Sequence, residues 1–499
     1  MRHYLIPTTC RFQSVIWTII FGALYILPFG PDVACIADDW TQFRGPNATG
    51  VSAAPEPLPA EFSTSQNLVF SHEIGKGIAC PIVAAGKVVT TAYAPETGFV
   101  VYCHEAATGA ELWKQVFKVE PESLPGKIVP PNEHASSTPC TDGERVYIYF
   151  SAIGLCALDL ANGEPLWSYS LPLPYYLMDW GPASSPIVYE DMVIYCQDDD
   201  LDQYLIALDK KSGTLRWQKP RPEMLGGYSV PVLCTANGRT DLVVAGTGKL
   251  QGFNPATGEE IWACNSLLRT MMSTPAVKDD RIYVTCQSYG DAGRILKDAL
   301  MEWKDTNQDK KLEKNEFEKP FWTKFEKADT NGDGFLIQEE INTAFQAPTN
   351  MVGGGNIMQC IKGGGAGDVT GTHLVWNLDH KAPSNISSPL VVDGRMFVVK
   401  KGGMSAAFDD TTGQTIWMQK RIRNLGDYFA SPVAGDGKIY VTGENGFIVV
   451  LKQGPDMEIL AMNDMEDTCV ATPAISNGRI YVRTLNKLHC FGESAGDGK

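Results

Sequence analysis

The sequence has no Cys-x-x-Cys motif, little positive charge, and no long apolar run beyond its first residues. Zinc ribbons and c-type haem attachment both need closely spaced cysteines, so neither is indicated. Lys and Arg number 42 against 58 Asp and Glu, which gives a formal net charge of -16 at pH 7. Nucleic acids and anionic membranes attract clustered basic residues, so we expect no nucleic-acid partner. Cations are the more natural ligands.

The one apolar run covers residues 14–30 and is followed by small residues. This layout predicts a signal peptide over residues 1–37, cleaved after Ala37, because a membrane span would need a longer run. We therefore expect a secreted or periplasmic protein with no transmembrane segment in the mature chain. The alternative is a lipid anchor at Cys35, although Asp32 stands where bacterial lipoproteins usually carry Leu.

The strongest pattern is a repeat in which a small residue, Ser or Thr precedes a proline. The eight prolines are Pro81, Pro139, Pro186, Pro231, Pro275, Pro389, Pro432 and Pro473. Each begins an apolar strand, and a Gly-containing turn and a second strand follow; in most units a third strand then ends in Gly with Trp close behind. Units of four antiparallel strands cannot bury their faces alone and must stack on their neighbours. The sequence therefore predicts an all-β, eight-bladed β-propeller in which the Trp side chains pack between blades.

The two ends of the repeat complement each other. The last unit stops after residues 488–492 without its fourth strand, whereas residues 67–72 form an extra strand before the first unit. We expect this N-terminal strand to complete the eighth blade and remove an exposed edge. On this reading residues 38–290 hold blades one to five, residues 353–492 hold the rest of blade five and blades six to eight, and residues 493–499 form a tail.

The fifth unit carries an insertion over residues 291–352, where the β pattern changes to a charged, helix-forming sequence. It contains two twelve-residue calcium loops of the EF-hand type, with oxygen ligands at the loop positions that Ca²⁺ uses. The expected ligands of the first loop are Asp305, Asn307, Asp309, the carbonyl of Lys311, Glu313 and Glu316. Those of the second loop are Asp329, Asn331, Asp333, the carbonyl of Phe335, and Glu340.

The two loops differ at their sixth position, where the turn needs a positive φ. The second loop has Gly334 there and the first has Lys310. A non-glycine residue in this conformation costs about 1–2 kcal/mol, and the charge of the lysine opposes the ion. We expect two Ca²⁺ sites, the second stronger, and a constitutively loaded structural module, because both ends of the insertion are tied into one blade.

The units that combine Ala-x-Asp with a later Gly and Trp, such as Ala207 to Trp217, resemble the repeats of pyrroloquinoline-quinone (PQQ)-like propellers. That superfamily includes quinoprotein alcohol dehydrogenases and the outer-membrane assembly scaffold BamB. Residues 40–47 and 367–371 further resemble secreted propellers common in planctomycete-type bacteria. In the dehydrogenases, the resemblance implies, the cofactor stacks between a Trp and a disulfide of adjacent cysteines, with Ca²⁺ and an Asp base in the central funnel. Here no two cysteines are adjacent, so we do not expect PQQ to bind.

The segments before the repeated prolines connect the blades and are expected to line one mouth of the central funnel. Their polar and aromatic residues could hold a ligand or each satisfy its own loop; the candidates are His134, Trp180, Tyr228, Arg269, Asn385 and Tyr428. No catalytic constellation stands out. We expect a scaffold for an unidentified protein or glycan partner in the cell envelope rather than an enzyme. The alternative is a PQQ-dependent or other propeller-type oxidoreductase.

Overall fold

The computed structural model describes residues 39–493 apart from 177–178, 223–225, 268–270, 289–299, 303, 346–354 and 380–385. The predicted signal peptide and the lipid-anchor alternative at Cys35 lie outside the described residues. Most of the predicted tail and the funnel candidates Arg269 and Asn385 lie outside them as well.

Eight antiparallel sheets of four strands follow one another along the chain, which confirms the predicted all-β, eight-bladed propeller. The first strand of the chain is β1 (Leu68–Glu73). Blade 1 then consists of β2 (Ile82–Ala84), β3 (Lys87–Ala94), β4 (Gly98–Glu105) and β5 (Glu111–Phe117), and blade 2 of β6 (Cys140–Thr141), β7 (Arg145–Phe150), β8 (Gly154–Asp159) and β9 (Pro165–Tyr169). Blade 3 consists of β10 (Ile187–Tyr189), β11 (Met192–Gln197), β12 (Tyr204–Asp209) and β13 (Leu215–Pro220), and blade 4 of β14 (Val232–Ala236), β15 (Arg239–Gly246), β16 (Lys249–Phe253) and β17 (Glu260–Cys264).

Two short strands, β20 (Leu312–Glu313) and β21 (Phe335–Leu336), stand apart from the blades and form their own sheet. Blade 5 consists of β18 (Ala276–Lys278), β19 (Arg281–Ser288), β22 (Gly355–Lys362) and β24 (Leu374–Asp379), and blade 6 of β25 (Leu390–Val392), β26 (Arg395–Lys400), β27 (Met404–Asp409) and β28 (Thr415–Arg421). Blade 7 consists of β29 (Val433–Gly435), β30 (Lys438–Thr442), β31 (Phe447–Lys452) and β32 (Glu458–Asp464). Blade 8 consists of β33 (Ala474–Ser476), β34 (Arg479–Arg483) and β35 (Lys487–Gly492) together with β1. Strand β23 (Gly367–Asp368) adds a parallel fifth strand to blade 4 beside β17.

Strand β1 forms the outer edge of the sheet built from the last three strands of the chain, so one blade contains both ends of the propeller. It pairs antiparallel with β35, Ser71 opposite His489. This pairing ties the first and last blades together through backbone hydrogen bonds.

The blades share one geometry because of their turns and their tryptophans. The turn between β25 and β26 has Asp393 and Gly394 at φ 50° and 72°, the positive values that two-residue hairpins require. Trp113 in β5 donates from Nε1 to the carbonyl of Leu160 in the next blade at 3.1 Å. A Cβ atom on Gly163 would lie 2.5 Å from the ring of Trp113, so only glycine fits there.

Between β19 and β22 the chain forms a small helical segment, in which residues 300–302 and 304 are helical. It also contains β20 and β21, the helices α1 (Lys319–Ala328) and α2 (Gln338–Ala344), and a 3₁₀ turn at Lys314–Glu316. The other 3₁₀ turns are Pro46–Ala48, Pro121–Ser123 and Lys401–Gly403. Among the described residues, none of the helices has the length and apolar character needed to cross a membrane.

Candidate functional site

The eight residues that stand directly before the repeated prolines form a ring around the propeller axis, one from each blade. They are Cys80, Thr138, Ser185, Val230, Thr274, Ser388, Ser431 and Thr472. We call this set the pre-proline ring. In seven of its eight steps a backbone N–H donates to the side-chain oxygen or sulfur of the next member, at 2.9 to 3.2 Å. The ring therefore links all eight blades side by side, including the first and the last.

The one step that is different lies between Ser185 and Val230. Val230 has no hydroxyl group to offer to the N–H of Ser185, whereas its own N–H donates to Thr274 Oγ1 at 3.1 Å. At the seam between the last and first blades, the acceptor is the thiol of Cys80, 3.2 Å from the N–H of Thr472. Burial raises the pKa of this thiol, and its hydrogen bonds with Thr138 and Thr472 oppose the rise.

A cavity of about 470 Å³ lies on the axis above the ring. All eight connections between blades contribute to its wall, and every member of the pre-proline ring lines it. The other lining residues are mostly apolar: Phe43, Ile78, Val129, Pro130, Pro131, Asn132, Ser136, Trp180, Ala183, Tyr228, Met272, Ile386, Phe429, Val470 and Ala471. Among the described residues, no charged side chain lines the cavity. Its volume is in the range of small-molecule sites.

Residues 40–52, which we call the N-terminal plug, close the channel beneath the cavity. The plug contacts the inner strands of several blades through Trp40 with Val83, Thr41 with Thr141, Asn47 with Leu233, and Val51 with Ala434. Each of these partners lies three residues beyond the ring member of its own blade. Phe43 of the plug lines the cavity directly. The cavity is thus closed at this end by the chain itself.

Arg44 in the plug is buried without a carboxylate partner among the described residues. Its Nη2 donates to the carbonyl of Pro389 at 2.7 Å and to that of Thr49 at 3.4 Å. Burial lowers the pKa of the guanidinium to about 9, and the nearby Tyr428 and Cys80 oppose that shift. This side chain joins the plug to the beginning of blade 6.

Two of the predicted funnel residues, Trp180 and Tyr228, line the cavity, and two others do not. The rings of Trp180 and Tyr228 are 6.2 Å apart, and Tyr176 stacks on Tyr228 at 5.2 Å. His134 instead packs on the ring of Tyr93 at 4.7 Å, and burial lowers its pKa. Tyr428 is buried among the apolar side chains between blades 6 and 7, and burial raises its pKa.

A buried carboxyl group fixes the segment that leads to Trp180. Asp199, at the top of blade 3, accepts hydrogen bonds from the N–H groups of Leu201, Asp202 and Tyr175 at 2.7 to 3.2 Å. Burial raises its pKa to about 7, although these hydrogen bonds oppose the rise. The Asp199 side chain therefore holds the connection between blades 2 and 3 against the top of blade 3.

The two acidic loops of the helical segment have the same backbone turn. In the second loop Gly332 and Gly334 have φ of 72° and 85°, and the N–H of Gly334 donates to Asp329 Oδ2 at 2.9 Å. In the first loop Gln308 and Lys310 have φ of 62° and 65°, and the N–H of Lys310 donates to Asp305 Oδ2 at 2.9 Å. Lys310 thus has the left-handed conformation at the position where the second loop has glycine.

The side chains of both loops place oxygen atoms around this turn. Asn331 Oδ1 accepts from the N–H of Asp333 at 2.8 Å, and Asp333 Oδ1 accepts from that of Phe335 at 2.9 Å. Asn307 and Asp309 repeat these two contacts in the first loop at 2.9 Å each.

The acidic side chains at the end of each loop complete the oxygen set. Glu316 accepts from the N–H of Thr306 at 2.8 Å and of Glu313 at 2.9 Å, and Glu340 accepts from that of Ile337 at 3.3 Å. The donor set is oxygen only, which suits a hard cation such as Ca²⁺. No three Asp, Glu, His or Cys side chains among the described residues are grouped as metal ligands.

The loops are joined through a pair of buried leucines. Leu312 lies opposite Leu336 in the two-stranded sheet, and both belong to a core with Phe317, Phe321 and Phe325. Outside this core, the Nζ of Lys311 lies 4.7 Å from the ring of Phe335. The two loops therefore form one packed unit.

In sequence this unit is inserted between two strands of blade 5, but in space it packs on the connection between blades 2 and 3. The ring of Phe321 lies 5.5 Å from that of Tyr175, and Lys304 Nζ lies 3.2 Å from Glu318 and 4.0 Å from Asp179. Tyr175 and Asp179 belong to the same connection as Trp180, which lines the cavity. The unit thus lies over the face of the propeller on which the cavity is found.

The described residues that line the central cavity offer no ion pair to a pyrroloquinoline quinone. That cofactor carries several carboxylate groups, which need cationic or strongly hydrogen-bonding partners when they are buried. No charged side chain lines the described part of the cavity. The eleven described cysteines are all buried and none forms a disulfide, so the described residues also lack the stacking partner expected in such enzymes.

Most of the cavity is formed by residues that were not selected from the sequence. The pre-proline ring was recognised there only as a mark of the repeat, although the recurrence of Ser, Thr and Cys at one position was a visible sign of a shared hydrogen bond. No pattern in the sequence marks Phe43 or Asn132 as a cavity residue. Their position in the lining depends on how segments that are distant in the chain meet on the axis.

These features define the protein as a closed eight-bladed β-propeller with an axial cavity and an inserted acidic-loop unit. The family described as "Outer membrane protein assembly factor BamB" matches residues 97–321 and 366–499, more than half of the chain. The chain belongs to this family.

Relatives are of two kinds. A quinoprotein alcohol dehydrogenase, PedH of Pseudomonas putida, is 31% identical over 128 residues, which are 23% of this chain and 20% of the relative. BamB of Yersinia pestis is 26% identical over 95 residues, 19% of this chain and 23% of that protein. The chain thus spans about a fifth to a quarter of the length of these curated relatives.

Solved structures agree on the fold. BamB from Moraxella catarrhalis has a TM-score of 0.53 at 15% identity, covering 87% of this chain and 99% of that structure. A quinohemoprotein alcohol dehydrogenase from Comamonas testosteroni has a TM-score of 0.55 at 11% identity, covering 93% and 82%. At these identities the likeness concerns the fold alone.

Proposed function

We propose that this protein is an exported, calcium-binding β-propeller that acts as a binding scaffold for a protein partner in the cell envelope. The pairing of Leu312 with Leu336 supports the calcium part of this proposal, because it joins two acidic loops of equal turn geometry. We interpret the joined loops as an EF-hand pair. The apolar leader over residues 14–30 and the family description as an outer membrane assembly factor support export and a protein partner.

Calcium acts in this proposal as a structural element rather than as a signal. The EF-hand pair lies between two strands of blade 5 in the chain and packs on Tyr175 of the propeller. A wide opening of its helices would therefore break contacts with the propeller. Ca²⁺ bound by Asp329, Asp333, Glu340 and their counterparts would hold the pair in this packed form. A large calcium-dependent change in small-angle scattering would contradict the structural role without affecting calcium binding itself.

Calorimetric titration of the chelator-treated protein with Ca²⁺ tests the metal sites. We expect two bound ions, the tighter one lost in Glu340→Gln and the weaker one in Glu316→Gln. Asp409→Asn is the matched control, since Asp409 accepts similar turn hydrogen bonds from Thr411 and Thr412 in a blade. It should leave both sites unchanged. Absence of binding at millimolar Ca²⁺ would refute the calcium proposal.

The names of the dehydrogenase relatives favour a second candidate, a propeller-type oxidoreductase. Reconstitution with PQQ and Ca²⁺, followed by a dye-linked alcohol assay, distinguishes the two functions. The scaffold proposal expects no activity above that of the cofactor alone. It also expects specific proteins to be crosslinked to the wild-type chain in envelope extracts and released when the contacting face of the propeller is altered.

A further inference from the structure

We propose that the axial cavity is a binding site for an uncharged, flat and mainly apolar small molecule. This site is separate from the calcium loops and does not depend on a protein partner. With a volume of about 470 Å³, it is closed at the level of the plug by Phe43. A pocket of this size that is closed at one end fits a small molecule.

The chemistry of the lining selects against charge. Asp199 holds the connection that carries Trp180, and Arg44 is next to Phe43 in the plug. Both are already hydrogen-bonded elsewhere, Asp199 to three backbone N–H groups and Arg44 to two carbonyls. Neither lines the cavity. An anionic or cationic ligand would lose its hydration here without gaining an ion pair from the described lining, which costs several kcal/mol.

The hydroxyl groups at the floor each accept one hydrogen bond within the ring. Those of Thr138, Ser185, Thr274, Ser388, Ser431 and Thr472 each accept a backbone N–H from the preceding blade. Each keeps its hydroxyl hydrogen and one acceptor lone pair. The floor can therefore satisfy a few neutral hydrogen bonds of a ligand, while the other lining residues are mostly apolar.

The aromatic side of the cavity is held in place before any ligand binds. The side-chain amide of Asn132 donates to the carbonyls of Trp180 and, at 3.2 Å, Pro182, and its oxygen accepts from Ser136. Tyr228 is supported from behind by Tyr176. Fixed aromatic rings bind flat apolar molecules with a small loss of conformational entropy.

Two fluorescent probes with the same skeleton test this proposal, N-phenyl-1-naphthylamine, which is uncharged, and 8-anilino-1-naphthalenesulfonate, which adds a sulfonate. Both are titrated against the full mature chain at saturating Ca²⁺, so that calcium occupancy is constant. We expect the uncharged probe to bind one to one and at least tenfold more tightly than the sulfonate. Equal or tighter binding of the sulfonate, or no binding of either probe, would overturn the proposal.

The reactivity of Cys80 can show whether the probe binds in the cavity, because Cys80 is the one cysteine of the described residues that lines it. The uncharged probe should slow alkylation of Cys80 by N-ethylmaleimide at least fivefold, read by peptide mass spectrometry. Ala183→Met narrows the cavity and should weaken the probe at least tenfold, whereas the exposed Ala161→Met should not. Unchanged alkylation of Cys80 in the wild-type protein would overturn the location even if Ala183→Met failed to fold.

Discussion

The ring of Phe70 in β1 lies against Gly109 in blade 1, in the place that a tryptophan takes at other blade junctions. Trp113, Trp167, Trp217 and Trp376 each pack in the same way on a glycine of the following blade, Gly163, Gly213, Gly258 and Gly413. Gly109 has a φ of 78°, and a Cβ atom there would overlap the Phe70 ring and lie 2.7 Å from His72 Nε2. The closing junction therefore uses the same contact as these four junctions, with the aromatic residue supplied by the N-terminal strand.

This contact predicts a specific loss of stability in Gly109→Ala. The positive φ costs about 1 kcal/mol and the overlap with Phe70 a further 1–3 kcal/mol, so the free energy of unfolding should fall by about 2–4 kcal/mol in urea denaturation. Gly143→Ala is the matched control, because Gly143 has a φ of 87° but no atom within 4 Å of its Cβ position. The free energy of unfolding of this control variant should fall by only about 1 kcal/mol. Equal losses would contradict a role of Phe70 in closing the ring.

The blade architecture could be predicted because the same proline marks the start of each of the eight units, and most units add a glycine followed by a tryptophan. The prolines are enough to count eight blades, and pairing of local strands needs no distant information. The role of Phe70 could not be read in this way. Its equivalence to the tryptophans appears only when β1 pairs with β35, four hundred residues away along the chain.

If the acidic loops bind Ca²⁺ as we propose, the first loop should bind it more tightly after Lys310→Gly. Lys310 has a φ of 65°, which costs about 1–2 kcal/mol for a residue with a Cβ atom, and its ammonium group opposes a cation. We expect about a tenfold gain in affinity, measured by calorimetry in a Glu340→Gln background so that only the first loop binds. Gln308→Gly relieves a similar φ of 62° without changing charge, so it should give a smaller gain. No gain in either variant would show that backbone strain does not limit this loop.

The candidate site was predicted in part. All four described funnel candidates stand a few residues before a repeated proline, yet only Trp180 and Tyr228 line the cavity. His134 packs on Tyr93 of blade 1, and Tyr428 packs between blades 6 and 7. Sequence position sets which connection a residue belongs to, but the direction of its side chain depends on neighbours from other blades. The plug is a further example, since Phe43 reaches the axis only through contacts with several blades.

The seam between blades 8 and 1 should weaken in mild acid. Burial lowers the pKa of His104 and of His489 to about 4 each; at His104 the neighbouring His72 adds to this, and Glu111 opposes it. The unfolded chain takes up these protons near pH 6.5 and the folded chain only near pH 4, so stability is lost as the pH falls through this window.

Melting temperatures at pH 7.5 and 4.5 measure this effect. The decline between the two values should be smaller in a His104→Gln, His489→Gln double variant than in the wild-type protein, because the two histidines no longer take up protons on unfolding. His373→Gln, which changes a histidine in blade 5, serves as the control and should keep the wild-type decline. A double variant with an unchanged decline would show that other groups dominate the acid response.

The missing step in the pre-proline ring predicts a stabilising substitution. Val230→Thr places a hydroxyl group where the N–H of Ser185 can donate to it, as Thr138 Oγ1 accepts from Cys80 at 3.1 Å. One added hydrogen bond of this kind should raise the free energy of unfolding by about 1 kcal/mol. Thr274→Val makes the reverse change and leaves the N–H of Val230 without its acceptor, which should cost about 1–3 kcal/mol.

A control variant that adds a hydroxyl group elsewhere in the cavity distinguishes completion of the ring from a general change in polarity. Val470 lines the same cavity but lies outside the ring, so Val470→Thr adds an equal hydroxyl group without completing the ring. Denaturant midpoints should therefore rank Val230→Thr above the wild-type protein, and Val470→Thr at or below it. If both valine variants shift the midpoint equally, the ring of hydrogen bonds does not account for the stability of the axis, and apolar packing between the inner strands must account for it instead.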